Sequence, residues 1–77
     1  MNWNDYIISN DKILLGKPTI KGTRISVEHI ISLKVNGWTE QQILENYPTL
    51  TSESLNAVFG YVQDCIKDNL LYSNAST

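Results

Sequence analysis

Thr51-Ser52-Glu53-Ser54-Leu55-Asn56-Ala57-Val58-Phe59-Gly60-Tyr61-Val62-Gln63-Asp64-Cys65-Ile66-Lys67-Asp68-Asn69-Leu70-Leu71-Tyr72 is the stretch on which the fold of this chain turns. Leu55, Val58, Phe59, Val62, Ile66 and Leu70 recur every three or four residues, the period of an amphipathic helix of roughly four turns. Thr51 or Ser52 can cap its start and Glu53 suits the positive end of the helix dipole, so the spacing predicts a helix over about 51–71 with that stripe as its core face. A second row, Ala57, Tyr61, Cys65 and Tyr72, is less polar than a solvated face should be, and a helix apolar on two sides buries both. Tyr61, Cys65 and Tyr72 are therefore candidates for a subunit or partner interface. Residues 73–77 read as a polar tail.

Working back from there, Thr39 with Gln42 three residues on forms a capping box. Ile43, Leu44 and Tyr47 share one face until Pro48 forbids continuation, which predicts a short helix over 39–47. Ser26 caps an earlier helix over 26–36, with Val27, Ile30, Ile31 and Val35 on its apolar face and Asn36-Gly37 as a left-handed stop. The first quarter reads as short strands within 6–25: Tyr6-Ile7-Ile8, a turn at Asn10-Asp11, then Ile13-Leu14-Leu15 ended by Gly16-Lys17-Pro18. Thr19 to Ile25 reads as an edge strand or hairpin turning at Lys21-Gly22, and an open edge needs a partner, so Ile20 and Ile25 join the interface candidates. The expected fold is mainly α, with short N-terminal strands or a hairpin followed by a three-helix, homeodomain-like (helix-turn-helix-like) bundle, in one domain over 1–72.

Seventy-seven residues suit one domain, and a chain this short buries only about 60% of the surface its unfolded form exposes. Small domains of this kind lean on staples or partners. The single cysteine, Cys65, forms no internal disulfide, and Cys65 with His29 is too few ligands for structural zinc. No apolar run approaches the roughly 18 residues of a membrane span, and Met1-Asn2-Trp3-Asn4-Asp5 lacks a signal-peptide start, so a cytoplasmic protein is expected. The net charge of -2 hides an asymmetry: Lys12, Lys17, Lys21, Arg24 and Lys34 face only Glu28 in the middle segment, while Glu40, Glu45, Glu53, Asp64 and Asp68 face only Lys67 afterwards.

No catalytic constellation emerges. His29 has no nucleophile or orienting group at a suitable spacing. Gly16-Lys17 looks like the end of a phosphate-binding loop, but Asp11 stands where the earlier glycine belongs and Pro18 removes a donor. No catalytic residue, metal or cofactor is expected. A DNA-binding reading fits the shape better than the charge: Thr51, Ser52, Ser54 and Asn56 can meet phosphate or adenine, yet the third helix has no cation before Lys67. Lys17, Lys21 and Arg24 on the extended arm are the better phosphate candidates, and the same lysines also suit a solvated edge strand. Arg24 can equally clamp a carboxylate or carbonyl inside the fold.

Three separated motifs, Ile13 to Val27 (ILLGKPTIKGTRISV), Asn36-Gly37-Trp38-Thr39 and Glu45-Asn46-Tyr47-Pro48-Thr49-Leu50-Thr51, together resemble the bacterial and archaeal family known as domain of unknown function 433, over about residues 6–66. The resemblance implies a homeodomain-like domain preceded by short strands, no catalytic residues, and the role of antitoxin in a toxin-antitoxin pair whose toxin is a small PIN-like ribonuclease. It also implies that Leu15 stands where a glycine is common, and that the position of Lys17 varies. An antitoxin of this kind is expected to be a homodimer that binds its toxin and operator DNA. The alternatives are a stand-alone DNA-binding regulator and a dimerisation module.

Overall fold

The structure, a computed structural model, describes residues 2–68. Two short strands, β1 (Ile7–Ile8) and β2 (Thr19–Ile20), precede three helices, α1 (Val27–Val35), α2 (Glu40–Asn46) and α3 (Ser52–Lys67). The architecture is mainly helical with an N-terminal antiparallel pair, as the periodicity predicts. The expected tail, with Leu70 and Tyr72, lies outside the described residues.

Local chemistry sets each helix boundary. Ser26 accepts from His29 N–H and starts α1; after Asn36, Gly37 takes φ +90°, so that Gly37 N–H reaches the Lys34 carbonyl and Trp38 N–H that of Leu33. Those two bonds satisfy carbonyls the helix would leave orphaned. Thr39 and Gln42 form the expected capping box on α2, and the helix stops at Asn46, ahead of Pro48. Thr51 caps α3 reciprocally with Ser54.

The N-terminal quarter departs from the expected strands in two ways. Ile13-Leu14-Leu15 forms no strand; Leu14–Gly16 is a tight turn in which all three residues have positive φ. And β2 has no open edge. On one side Ile7 pairs with Ile20 and Ile8 with Thr19; on the other Thr19 bridges Ser26, and Ile20 N–H donates to the Ile25 carbonyl at 2.9 Å. The chain folds back within a few residues and satisfies its own edge, the reverse of the partner-seeking strand read from the sequence.

Among the described residues nine form the core: Ile7, Ile20, Val27, Ile30, Ile43, Leu50, Leu55, Ala57 and Val58. The stripe on α1 rolls outward, because at 100° per residue Val35 lies about 80° from Val27, and it ends 79% exposed. On α3 the buried face is rotated from the expected one. Ala57 is fully buried, whereas Phe59 and Ile66 are 42% and 38% exposed. The cause is Trp3, in a 3₁₀ turn over Trp3–Asp5, which packs on the far side of α3: its ring meets Tyr61 edge-on at 4.9 Å and its Nε1–H donates to the Asp64 carboxylate. Tyr61, one of the row assigned to a partner, is thus packed against the chain's own N-terminus.

Burial, with a smaller contribution from neighbouring Cys65, raises the Tyr61 phenol pKa above its ordinary 10.0. The fold therefore favours the neutral phenol, and the stability this contributes is fully present below pH 10 and falls as pH rises through the raised value. Trp3→Ala is expected to cost about 2 kcal/mol in urea unfolding and to move the Tyr61 titration, read by ultraviolet absorbance, back toward its ordinary value.

Candidate functional site

The turn between the strands is the most unusual local structure in the chain. Asn10 starts it, its carbonyl accepting from Ile13 N–H and its side-chain oxygen from Lys12 N–H, each at 2.8 Å. Gly16 N–H then donates to the Ile13 carbonyl at 3.0 Å and Lys17 N–H to that of Leu14 at 3.2 Å. Closing these bonds puts Leu14 at φ +50°, Leu15 at +58° and Gly16 at +82°. Glycine meets that demand freely; a residue with a side chain pays roughly 1–2 kcal/mol.

Leu15 does not recover that cost by burial against the described residues. Leu15 is 93% exposed and Leu14 37%. Leu14, Leu15, Lys17 and Ser26 line a shallow recess of about 290 Å³, and through Lys17 it adjoins a second of about 340 Å³ lined by Pro18, Val27, Glu28 and Tyr61. Lys17 Nζ lies 3.1 Å from Glu28 Oε1, with the two side chains 58% and 75% exposed, so the pair is solvated and contributes at most about 1 kcal/mol. The result is an apolar shelf with the Lys17–Glu28 pair on its rim.

The predicted site residues scatter around this shelf. Lys17 lines it, while Lys21 and Arg24 are exposed on the closed turn between Ile20 and Ile25, which is no extended arm. Among the described residues Arg24 has no ion pair, so its guanidinium clamps no carboxylate there. Thr51 and Ser52 are exposed at the start of α3, but the Thr51 hydroxyl is engaged as the cap, accepting from Ser54 N–H at 3.1 Å. Ser54, expected to face DNA, is 5% exposed and donates to the Thr51 carbonyl; Asn56 stays exposed. His29 is exposed, with Nε2 2.9 Å from the Tyr47 hydroxyl, a surface contact between α1 and the turn after α2.

The proposed interface residues fare differently. Ile20, at 3% exposure, is core and unavailable to a partner. Ile25 is half-buried against the core, and Tyr61 and Cys65 are half-buried, Tyr61 beneath Trp3. Tyr72 lies outside the described residues. Sequence reasoning passed over the leucine turn, although one signal was there: a leucine where the resemblance implies glycine. Among the described residues no helix is long and apolar enough to cross a membrane.

Comparison with known proteins gives a consistent answer. The family described as "Protein of unknown function (DUF433)" matches residues 7–62. A crystal structure of a DUF433 member protein from Anabaena variabilis is similar with a TM-score of 0.74 and 29% identity over 80% of this chain. The match spans 61% of that protein's length, so this chain corresponds to less than two thirds of it. No curated protein matches the sequence.

If Leu15 is strained and not used by the fold, Leu15→Gly raises stability by about 1 kcal/mol, measured by the urea midpoint at unchanged m-value. Gly16→Ala, at φ +82° and with its new Cβ 3.1 Å from Asp11 Oδ1, lowers stability by a similar amount.

Proposed function

We propose, from the premise that this chain belongs to the DUF433 family, that it is an antitoxin: a binding protein rather than an enzyme, which holds a PIN-like ribonuclease toxin inactive. The carrying observation is Leu15, held in a left-handed conformation and almost fully exposed. An apolar side chain kept at a conformational cost that nothing among the described residues offsets is explained when a partner's surface buries it. Lys17 on the same rim adds an electrostatic contact of the kind that steers a partner and sets its register.

A second reading is favoured by a different observation. Lys21 and Arg24 are exposed on one tight turn, where neither contributes to the core. Such a turn suits phosphate contact, so the chain also binds its operator DNA, or acts as a stand-alone DNA-binding regulator if no toxin exists. On this reading the three helices are homeodomain-like in arrangement, with DNA affinity drawn from Lys17, Lys21 and Arg24 rather than from the start of α3. Should neither ligand bind, a dimerisation module remains.

Mixing the purified chain with the PIN-like ribonuclease encoded beside it is expected to give a stable complex with suppressed ribonuclease activity. Leu15→Asp then raises Kd at least tenfold with the fold intact by circular dichroism. An inert mixture sinks the antitoxin reading. In gel shifts on the upstream promoter at several salt concentrations, Lys17→Ala, Lys21→Ala and Arg24→Ala each lower the slope of log K against log salt by roughly 0.9 for every phosphate left without its cation. Unaltered slopes remove the basic turn from the mechanism.

A further inference from the structure

With one side of α3 in the core and another under Trp3, a third is left to solvent. Ser52, Asn56, Phe59, Gln63, Ile66 and Lys67 fall within an arc of about 100° on that side, and all are exposed. A recess of about 670 Å³ opens in the middle of it, lined by Asn56, Phe59, Gly60 and Gln63. Gly60 lines the recess with its backbone, and its missing side chain faces Trp3, whose Cβ lies 3.7 Å from where a Gly60 Cβ would stand. The centre of the face carries amides and apolar groups and no charge; Glu53 stands toward one end and Lys67 at the other.

We infer that this face is where a second copy of the chain docks, α3 against α3, antiparallel about a two-fold axis passing between Phe59 and Gly60. That register makes the face complementary to itself. Asn56 comes level with Gln63 of the second copy, two amides that each offer donors and an acceptor. Phe59 comes level with the opposite Gly60 and within one residue of the opposite Phe59, so the two rings meet beside the axis. Glu53 comes within one residue of the opposite Lys67, so the charged ends attract, and the two-fold axis repeats every contact. A charge-free centre containing an aromatic is the composition of an interface core. DNA fits the same face poorly, because α3 presents no cation before Lys67. Ser52 and Asn56 then belong to the dimer and not to DNA.

The assignment rests only on the homodimer expected from the sequence and is measured on this chain alone, so failure to bind a toxin leaves it standing. Sedimentation equilibrium on the full chain at low salt is expected to show a dimer. Phe59→Asp raises the dimer Kd at least tenfold with helicity unchanged. Glu53→Lys and Lys67→Glu, felt twice across the axis, each raise it roughly three- to tenfold, and the double variant returns to within about twofold of the wild type. A monomeric wild type, a dimer indifferent to Phe59→Asp, or a double variant as weak as the two singles combined overturns the proposal. Should Phe59→Asp fail to fold, the two charge reversals, both at exposed positions, decide. A monomer that binds toxin through Phe59 assigns the face to the toxin and likewise overturns it.

Discussion

The rest of the structure hangs on two residues, Thr19 and Ile20, hydrogen-bonded to neighbours on both sides. Lys21 N–H donates to the Tyr6 carbonyl at 2.7 Å on one flank, and Val27 N–H donates to that of Pro18 at 2.9 Å on the other. Thr19 and Ile20 are 1% and 3% exposed, so the bond between them and their flanks, Ile20 N–H to the Ile25 carbonyl at 2.9 Å, closes in a site almost free of water, where an unmade one costs most. One flank seats the N-terminal segment so that Trp3 reaches α3. The other sets Ser26 where it caps α1. A strand of two residues thus ties both ends of the N-terminal quarter to the helical body.

The same tie explains the strained turn. Once β1 and β2 are paired, the ten residues 9–18 must leave one strand and return antiparallel beside it, and the left-handed run at Leu14–Gly16 is how the chain closes that loop. Loop closure accounts for the backbone but not for leucine, since glycine would close it with less strain. The identity of residue 15 is therefore not set by the closing of the turn, whereas the shape of its turn belongs to the fold. Charge divides along similar lines in the sequence: five of the six cations lie between Lys12 and Lys34, and five of the eight acids lie from Glu40 onward.

Much of the helical part is legible from the sequence because its signals are local. Thr39 with Gln42, Ser26, Asn36-Gly37 and Pro48 act over three or four residues, through bonds the backbone makes whatever surrounds it. The family was legible for a related reason: Gly16, Pro18 and Gly22 are turn residues whose spacing survives as a motif. Which face of α3 lies inward was not legible. Leu55, Ala57, Val58, Phe59 and Tyr61 spread apolar character most of the way around the helix, and nothing local says which side Trp3, some sixty residues away, will cover.

By itself, then, the sequence determined a mainly helical fold, three helices with both ends of the first two and the start of the third, which stops at Lys67 and not at 71, and a basic segment followed by an acidic one. Tertiary structure alone decided that the β2 edge is closed, that Ile20 and Ser54 are buried, that Leu15 stands out on a strained turn, and that Phe59 rather than Tyr61 marks the free side of α3. The physical reason is range: caps and periods are short-range and written in neighbouring residues, whereas exposure is set by whatever distant segment packs there, and that is known only once the chain has closed on itself.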